Sequence, residues 1–97
     1  MKPLAFSEKS LDDLQGILVF IARDKPAAAL RFVERLEQQC ESLAQFPEIG
    51  TRREDLALQL RLFSFRGYGI YYRELADEVR IERVLHASMD VTVKQFE

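Results

Sequence analysis

The spacing of the apolar residues changes near residue 50, and this change constrains the fold more than any other feature of the sequence. Before it, apolar residues recur at steps of three and four, as they do along one face of a helix. After it, they alternate with polar residues, as they do in β-strands. Helices followed by strands are typical of the α+β class, so the sequence predicts helices packed on one face of a small twisted antiparallel sheet.

Two helices are predicted in the first half. The first has an apolar stripe of Leu11, Leu14, Leu18 and Ile21. Ser7 is placed to cap its start, and Gly16 inside it is expected to allow close contact with a neighbouring element. The second helix is predicted over residues 27–46, and the short connection at Pro26 favours an antiparallel helical hairpin. Cys40 lies in its apolar stripe and is expected to be a buried, unreactive thiol.

Three strands are predicted in the second half, over residues 58–65, 68–74 and 79–86. Short turns join them, which indicates an antiparallel meander. Residues 4–7 are predicted to form a short opening strand, and residues 51–56 a polar connector. Strict alternation along the last strand places on one face Val79, Ile81, Arg83 and Leu85. Along the middle strand it separates Tyr71 from Tyr68 and Tyr72, and at least one of these rings is expected in the core.

The length and composition limit the classes of protein that this chain can represent. Ninety-seven residues, 47% of them hydrophobic, suit one domain over residues 1–97. No apolar run approaches the roughly 20 residues that cross a bilayer, and Glu8 follows too early for a signal peptide, so a cytoplasmic protein without membrane contact is expected. One cysteine and one histidine allow no internal disulfide and make a poor zinc site, so neither a metal nor a cofactor is expected.

The charge is balanced, at −2 overall with a pI near 5.5, so the chain as a whole does not attract phosphate backbones. After residue 50 the cations are almost all arginine, namely Arg52, Arg53, Arg61, Arg66, Arg73, Arg80 and Arg83. Acidic residues are interspersed among them. We therefore predict surface ion pairs for most of these arginines.

Five segments in order carry a resemblance to a known family. They are Leu11-Asp12-Asp13-Leu14, Pro26-Ala27-Ala28-Ala29, and the segments over residues 43–50, 68–73 and 81–90. Together they span nearly the whole chain and resemble the ParE branch of the RelE/ParE superfamily of bacterial type II toxin–antitoxin modules. The resemblance implies a helical hairpin packed on a twisted antiparallel sheet, which agrees with the architecture that the periodicity predicts.

The same resemblance implies a function and two partners. ParE-type toxins bind DNA gyrase, trap it on cleaved DNA and block replication, without being enzymes. Each is neutralised by a ParD-like antitoxin, whose C-terminal segment folds on the toxin while its N-terminal domain binds operator DNA. Contact with DNA would therefore be indirect. RelE-type relatives instead cut messenger RNA on the ribosome, and a third possibility is an inactive module that only binds the antitoxin.

A ribonuclease needs an acid, a base and cations around the scissile phosphate. The best candidates for that cluster are Arg61, Arg83 and His86, and the tyrosines could stack on bases. Against it stand the lack of lysine between Pro26 and Val93, the lack of tyrosine after the last strand, and the acidic pI. The gyrase inhibitor is therefore the preferred interpretation, with the metal-independent ribonuclease as the alternative.

The surface that binds the antitoxin and target is expected to be apolar with arginine anchors, and a free toxin that exposes it should be poorly soluble. Candidate partner-binding residues are Arg61, Phe63, Phe65, Tyr72, Arg73 and Arg83. For Arg83 a structural ion pair and an anion-binding role both remain open. His86 is expected to bond to Asp90, four residues later, and so clasp the C-terminal segment to the sheet.

Overall fold

A helical hairpin covers one face of a five-stranded sheet in the computed structural model, which describes residues 1–97. The helices are α1 (Glu8–Ala22) and α2 (Pro26–Gln45). The strands are β1 (Leu4–Phe6), β2 (Thr51–Arg52), β3 (Leu60–Phe65), β4 (Tyr68–Glu74) and β5 (Val79–His86). Short 3-10 turns lie at Pro47–Ile49 and Val93–Phe96. The predicted α+β class is confirmed, and no helix is both long and apolar enough to cross a bilayer.

Local sequence explains where the helices begin. The Ser7 hydroxyl accepts a hydrogen bond from the Ser10 amide at 3.0 Å, as the sequence predicts for the cap of α1. Pro26 occupies the first turn of α2, where its fixed φ suits the helix and its missing N–H costs nothing. The two helices pack together and against β5, so the predicted hairpin is confirmed.

The sheet contains the predicted meander, β3–β4–β5, and one short strand at each edge. Its order is β1-β5-β4-β3-β2, with β1 parallel to β5 and the other neighbours antiparallel. The connector predicted over residues 51–56 supplies β2, which pairs Thr51 with Leu62. The prediction that the first meander strand begins at residue 58 is wrong. Gln59 has a positive φ of 62°, so the chain turns there and leaves Leu58 exposed.

A bulge in β5 corrects the predicted faces of that strand. Tyr71 pairs with Arg83 and Tyr72 with Ile81, so Glu82 is an extra residue without a partner on β4. The bulge shifts the alternation by one residue, and Val84 consequently joins Val79 and Ile81 in the core beneath the helices. The prediction that Arg83 and Leu85 share that face is therefore wrong.

Two apolar clusters lie on opposite faces of the sheet. The larger one, between sheet and helices, includes Leu14, Ile17, Leu36, Cys40, Leu43, Ile70, Tyr72, Ile81 and Val84. The smaller one lies on the other face and consists of Leu60, Tyr71 and Leu85. The separation of Tyr71 from Tyr72 is thus confirmed, and both rings are buried.

Cys40 is fully buried, as the sequence predicts, and its titration gives a testable effect of pH on stability. Burial, followed by the charges of Glu37 and Glu41, raises the pKa of the thiol from 9.0 to about 12. The unfolded chain therefore loses this proton at a lower pH than the folded chain does. The contribution of the thiol to the free energy of unfolding is complete below pH 9 and is lost as the pH rises towards 12. We expect the free energy of unfolding, measured in urea, to fall by about 1.4 kcal/mol between pH 8 and pH 10 on this account. A Cys40→Ala variant should lack this part of the decrease. If the free energy of unfolding fell equally steeply with pH in the variant and in the unaltered protein, this account of the thiol would be contradicted.

The surroundings of Gly16 in α1 lead to a second prediction about stability. A Cβ at this position would meet no atom within 4 Å, so the predicted close contact with a neighbouring element is wrong. Alanine removes the entropic cost of glycine in a helix interior. We therefore expect Gly16→Ala to stabilise the isolated protein by about 0.5–1 kcal/mol in urea unfolding. A loss of stability would contradict the open surroundings of this position.

Candidate partner-binding surface

The face of the sheet that carries no helix has an open apolar cavity. We call this face, formed by Leu60, Leu62, Tyr71, Leu85, Met89 and Val91, the helix-free face. A cavity of about 330 Å³ lies on it, and most of its lining residues are apolar. Phe96 of the C-terminal 3-10 turn packs on Tyr71, with ring centroids 5.1 Å apart. The C-terminal segment therefore covers part of this face and leaves the rest accessible.

Gly69 in β4 determines how the helix-free face packs. A Cβ at this position would lie 2.8 Å from Leu62 Cδ1 and 3.2 Å from Tyr71 Cε1. Because the residue is glycine, the Leu62 and Tyr71 side chains close over the backbone of β4. Burial raises the pKa of the Tyr71 phenol above its ordinary value.

One edge of the sheet is partly uncovered. β2 pairs only with Arg61 and Leu62, so the outer side of β3 has no neighbouring strand from Phe63 to Phe65. At the opposite edge β1 ends at Phe6. Beyond it, the Ser7 hydroxyl donates to the Glu82 carbonyl and the Val84 amide donates to Asp13. Beyond β2, the β3 edge therefore offers backbone groups to a further strand.

Several predicted partner-binding residues hold the fold together instead. Tyr72 has no exposed surface, and its hydroxyl accepts from the Gly50 amide and donates to the Pro47 carbonyl. Tyr72 therefore offers no surface to a partner in this structure. Arg61 donates to the carbonyls of Gly50, at 2.8 Å, and Glu48, at 3.2 Å. These bonds tie the start of β3 to the segment that follows α2.

The other predicted arginines are held in ion pairs. Arg73 pairs with Glu82, whose carboxylate lies 2.6 Å from Arg73 Nε. Arg83 forms two hydrogen bonds with Asp13 of α1, at 2.8 and 2.9 Å, which raise the pKa of its guanidinium. Of the two roles left open for Arg83, the structure therefore shows the ion pair.

The last two predicted partner-binding residues are the aromatic residues of β3. Phe63 and Phe65 are half-buried and pack against the larger core. Their exposed parts still lie along the uncovered edge of β3. They are therefore core residues that remain accessible to a partner at this edge.

The structure does not bring the proposed ribonuclease residues together. Arg61 and His86 lie opposite Tyr72 and Tyr68, which are four residues apart on β4, or about 13 Å along the strand. Arg83 has Tyr71 as its neighbour and reaches over the sheet edge to α1. The three side chains thus point to different surroundings and share no cavity.

His86 is exposed and bonded locally. Its Nδ1 lies 2.7 Å from Ser88 Oγ and accepts the Ser88 amide at 3.1 Å, so the predicted bond to Asp90 is wrong. The ring also packs edge-on against Tyr68.

Sequence reasoning missed Met89 and Val91, which line the cavity. The signal for them was the alternation of apolar and polar residues from Ala87 to Val93.

Comparisons with known proteins agree with this architecture. A family model described as the ParE toxin of the type II toxin–antitoxin system parDE matches residues 4–91. The chain is 28% identical over 88 residues to Toxin RelE3 of Caulobacter vibrioides, covering 90% of this chain and 96% of that one. It is 32% identical over 62 residues to Toxin ParE3 of the same organism, covering 64% and 62% of the two chains. A solved structure, described as a chromosomal ParDE TA system from P. aeruginosa, matches with a TM-score of 0.79 at 22% identity, covering 91% of this chain and 98% of that one.

Proposed function

Because this chain belongs to the ParE toxin family of type II toxin–antitoxin systems, we propose that it arrests growth by binding and inhibiting DNA gyrase. The inhibition is stoichiometric and involves no catalysis. A cognate ParD-like antitoxin neutralises it in the cytoplasm, and only that antitoxin contacts DNA directly. One observation carries the proposal. The arginines and the histidine that could serve a ribonuclease are dispersed, and each is already bonded within the fold.

The helix-free face is the proposed docking surface for the antitoxin. It offers an apolar cavity of about 330 Å³ for side chains, and the uncovered β3 edge beside it offers backbone groups for a strand. A partner segment that adds to a sheet edge gains affinity from main-chain hydrogen bonds and specificity from pockets for alternate side chains. The accessible apolar area also supports the expectation that the free toxin is poorly soluble.

A substitution at the rim of the cavity tests this docking surface. Met89 is 46% exposed and lines the cavity, so Met89→Glu leaves the core intact and places a charge where an apolar partner would pack. We expect at least a tenfold weaker complex, measured by calorimetric titration or by co-purification with tagged antitoxin. The matched control is Leu58→Glu, since Leu58 is 74% exposed and lies in the loop before β3. Equal affinity of both variants for the antitoxin would contradict the assignment.

The gyrase proposal is tested by a supercoiling assay with purified gyrase, relaxed plasmid, ATP and toxin released from its antitoxin. The expected result is a loss of supercoiling together with accumulation of linear plasmid after detergent and protease treatment. Added antitoxin should abolish both effects. Unchanged supercoiling with toxin in molar excess would contradict inhibition of gyrase.

One observation favours a second candidate function, since a relative that aligns over 90% of this chain is named Toxin RelE3. This candidate is a ribosome-dependent, metal-independent ribonuclease that uses Arg61, Arg83 and His86. Translation in vitro with a defined messenger RNA, followed by primer extension, tests it. Cleavage that Arg61→Ala or His86→Ala abolishes would favour this candidate over gyrase inhibition, and intact messenger RNA would exclude it.

A further inference from the structure

Three arginines at one end of the molecule have no anionic partner. Among the seven arginines after residue 50, five form ion pairs and Arg61 bonds to carbonyl oxygens, which leaves Arg66. Arg66 lies in the turn between β3 and β4, and it shares two adjacent cavities with Arg31 and Arg35 of α2. We call these three residues the arginine surface. All three are exposed, and no carboxylate lies within ion-pairing distance of them.

Arg66 occupies a position that disfavours arginine. Its φ is 48° and that of Gly67 is 85°, which is the left-handed conformation of a tight hairpin turn. Glycine, asparagine and aspartate suit such a position, and a long side chain there carries a conformational cost. The guanidinium lies over the Phe65 ring, 5.2 Å from its centroid, which limits its orientations. A residue that breaks a local rule in this way is more common at functional sites than elsewhere.

The surroundings of the arginine surface are partly apolar. One cavity, of about 310 Å³, is lined by Ile21, Ala28 and Phe32 together with the three arginines. The other, of about 440 Å³, adds Phe65 and the polar side chains of α2, including the carboxylate of Glu34. The surface therefore combines a pocket for an apolar side chain with guanidinium groups that remain available to external anions.

We propose that the arginine surface is where the toxin contacts its target protein, through an acidic segment of the target that places an apolar side chain in the smaller cavity. Arginine pairs with carboxylates through two parallel hydrogen bonds, and arginine is enriched at interaction hot spots. The proposal rests on the proposed function only in requiring a protein target. It does not depend on that target being gyrase.

A protein partner fits these residues better than a nucleic acid does. A phosphate backbone offers no aliphatic group to fill an apolar cavity. An acidic peptide with one apolar side chain uses both the cavity and the arginines.

The arginine surface lies apart from the proposed antitoxin surface. Phe32 and Phe65 pack against the core on the helix side of the sheet, whereas the antitoxin is assigned to the opposite face. The two surfaces meet at the end of β3, where Ser64 lines the cavity of the helix-free face and Phe65 lines that of the arginine surface. A bound antitoxin would therefore obstruct the target sterically without occupying the arginines.

The test separates toxicity from antitoxin binding with a double charge reversal, Arg31→Glu with Arg66→Glu. Its matched control is Arg23→Glu with Lys25→Glu, which changes the net charge equally at two exposed positions beside the hairpin turn. We expect the first variant to be at least about 100-fold less potent in growth arrest per amount of induced toxin, and the control to arrest growth like the unaltered protein. Both should co-purify with the antitoxin in unchanged yield.

A second variant, Arg66→Gly, excludes a merely structural role. Glycine relieves the left-handed strain, so the variant should be at least as stable in urea as the unaltered protein and at least tenfold less toxic. Three results would overturn the proposal: full toxicity of the double variant, loss of antitoxin binding by a variant that still folds, or fluorescence anisotropy showing that duplex DNA binding depends on these arginines. If toxicity is lost as expected while gyrase is unaffected by the unaltered toxin, the surface is supported and only the identity of the target is wrong.

Discussion

Gly50→Ala is expected to destabilise the fold by about 3 kcal/mol. A Cβ on Gly50 would lie 2.8 and 2.9 Å from two ring atoms of Tyr72 and closer still to its hydroxyl. The ring has no exposed surface and is enclosed by the core, so it has no free volume into which to move. Overpacking of this kind costs about 1–3 kcal/mol, and displacing the hydroxyl leaves the buried Gly50 amide unsatisfied, at about 1–3 kcal/mol more.

Urea unfolding of the isolated chain at low micromolar concentration measures this effect, with Gly16→Ala as a matched control at an open position. Combining Gly50→Ala with Tyr72→Phe gives a sharper test. Removing the hydroxyl also removes the closest atom. The double variant should therefore lose less stability than the sum of the losses in the two single variants. Additive losses, or a stability of Gly50→Ala within 0.5 kcal/mol of the unaltered protein (roughly the error of such measurements), would contradict the described packing.

The second large effect is expected for Asp13→Ala, which should cost about 3 kcal/mol. Asp13 accepts two hydrogen bonds from Arg83 and a third from the Val84 amide at 3.0 Å. Both side chains of the pair are largely buried, at 13% and 19% exposure, so removing the carboxylate leaves a guanidinium and an amide without a strong partner. The same substitution removes the hydrogen bonds that join α1 to the part of β5 beyond the end of β1.

Asp12→Ala is the control for this prediction, because Asp12 is exposed and forms no ion pair. We expect its free energy of unfolding to lie within about 0.5 kcal/mol of the unaltered protein, as is usual for surface substitutions. Asp13→Asn should fall between the two, since an amide oxygen still accepts one of the hydrogen bonds. Equal stability of the Asp12 and Asp13 variants would mean that the α1–β5 connection is not held by this carboxylate.

The sequence predicted those parts of the fold that depend on local patterns. Both helices follow from their apolar stripes, and the meander follows from alternation and from the turn at Arg66-Gly67. The faces of β5 did not follow, because the bulge at Glu82 depends on register with β4, which no single strand encodes. β2 was missed for the same reason, since two residues become a strand only where β3 lies beside them.

The partner-binding residues were harder to predict, because exposure and pairing are tertiary properties. The local sequence does not show which of Arg66 and Arg83 has an acidic partner. Arg83 pairs with Asp13, which lies 70 residues earlier in the chain, whereas Arg66 pairs with no carboxylate. Tyr72 was predicted at a partner surface and is instead the most deeply buried ring. Surface ion pairs were predicted for most of the later arginines. Five of the seven form ion pairs, but the pair of Arg83 with Asp13 is largely buried.

We propose that this toxin acts by occupying its target rather than by turning over a substrate. A titration of toxin into a fixed concentration of active gyrase, with supercoiling rate as the readout and several preincubation times, tests it most directly. The expected result is a supercoiling rate that falls linearly and reaches its minimum near one toxin per toxin-binding site, independent of preincubation time once binding is complete. Inactivation that proceeds with time at a small molar fraction of toxin, or cleavage of messenger RNA with gyrase unaffected, would contradict the claim.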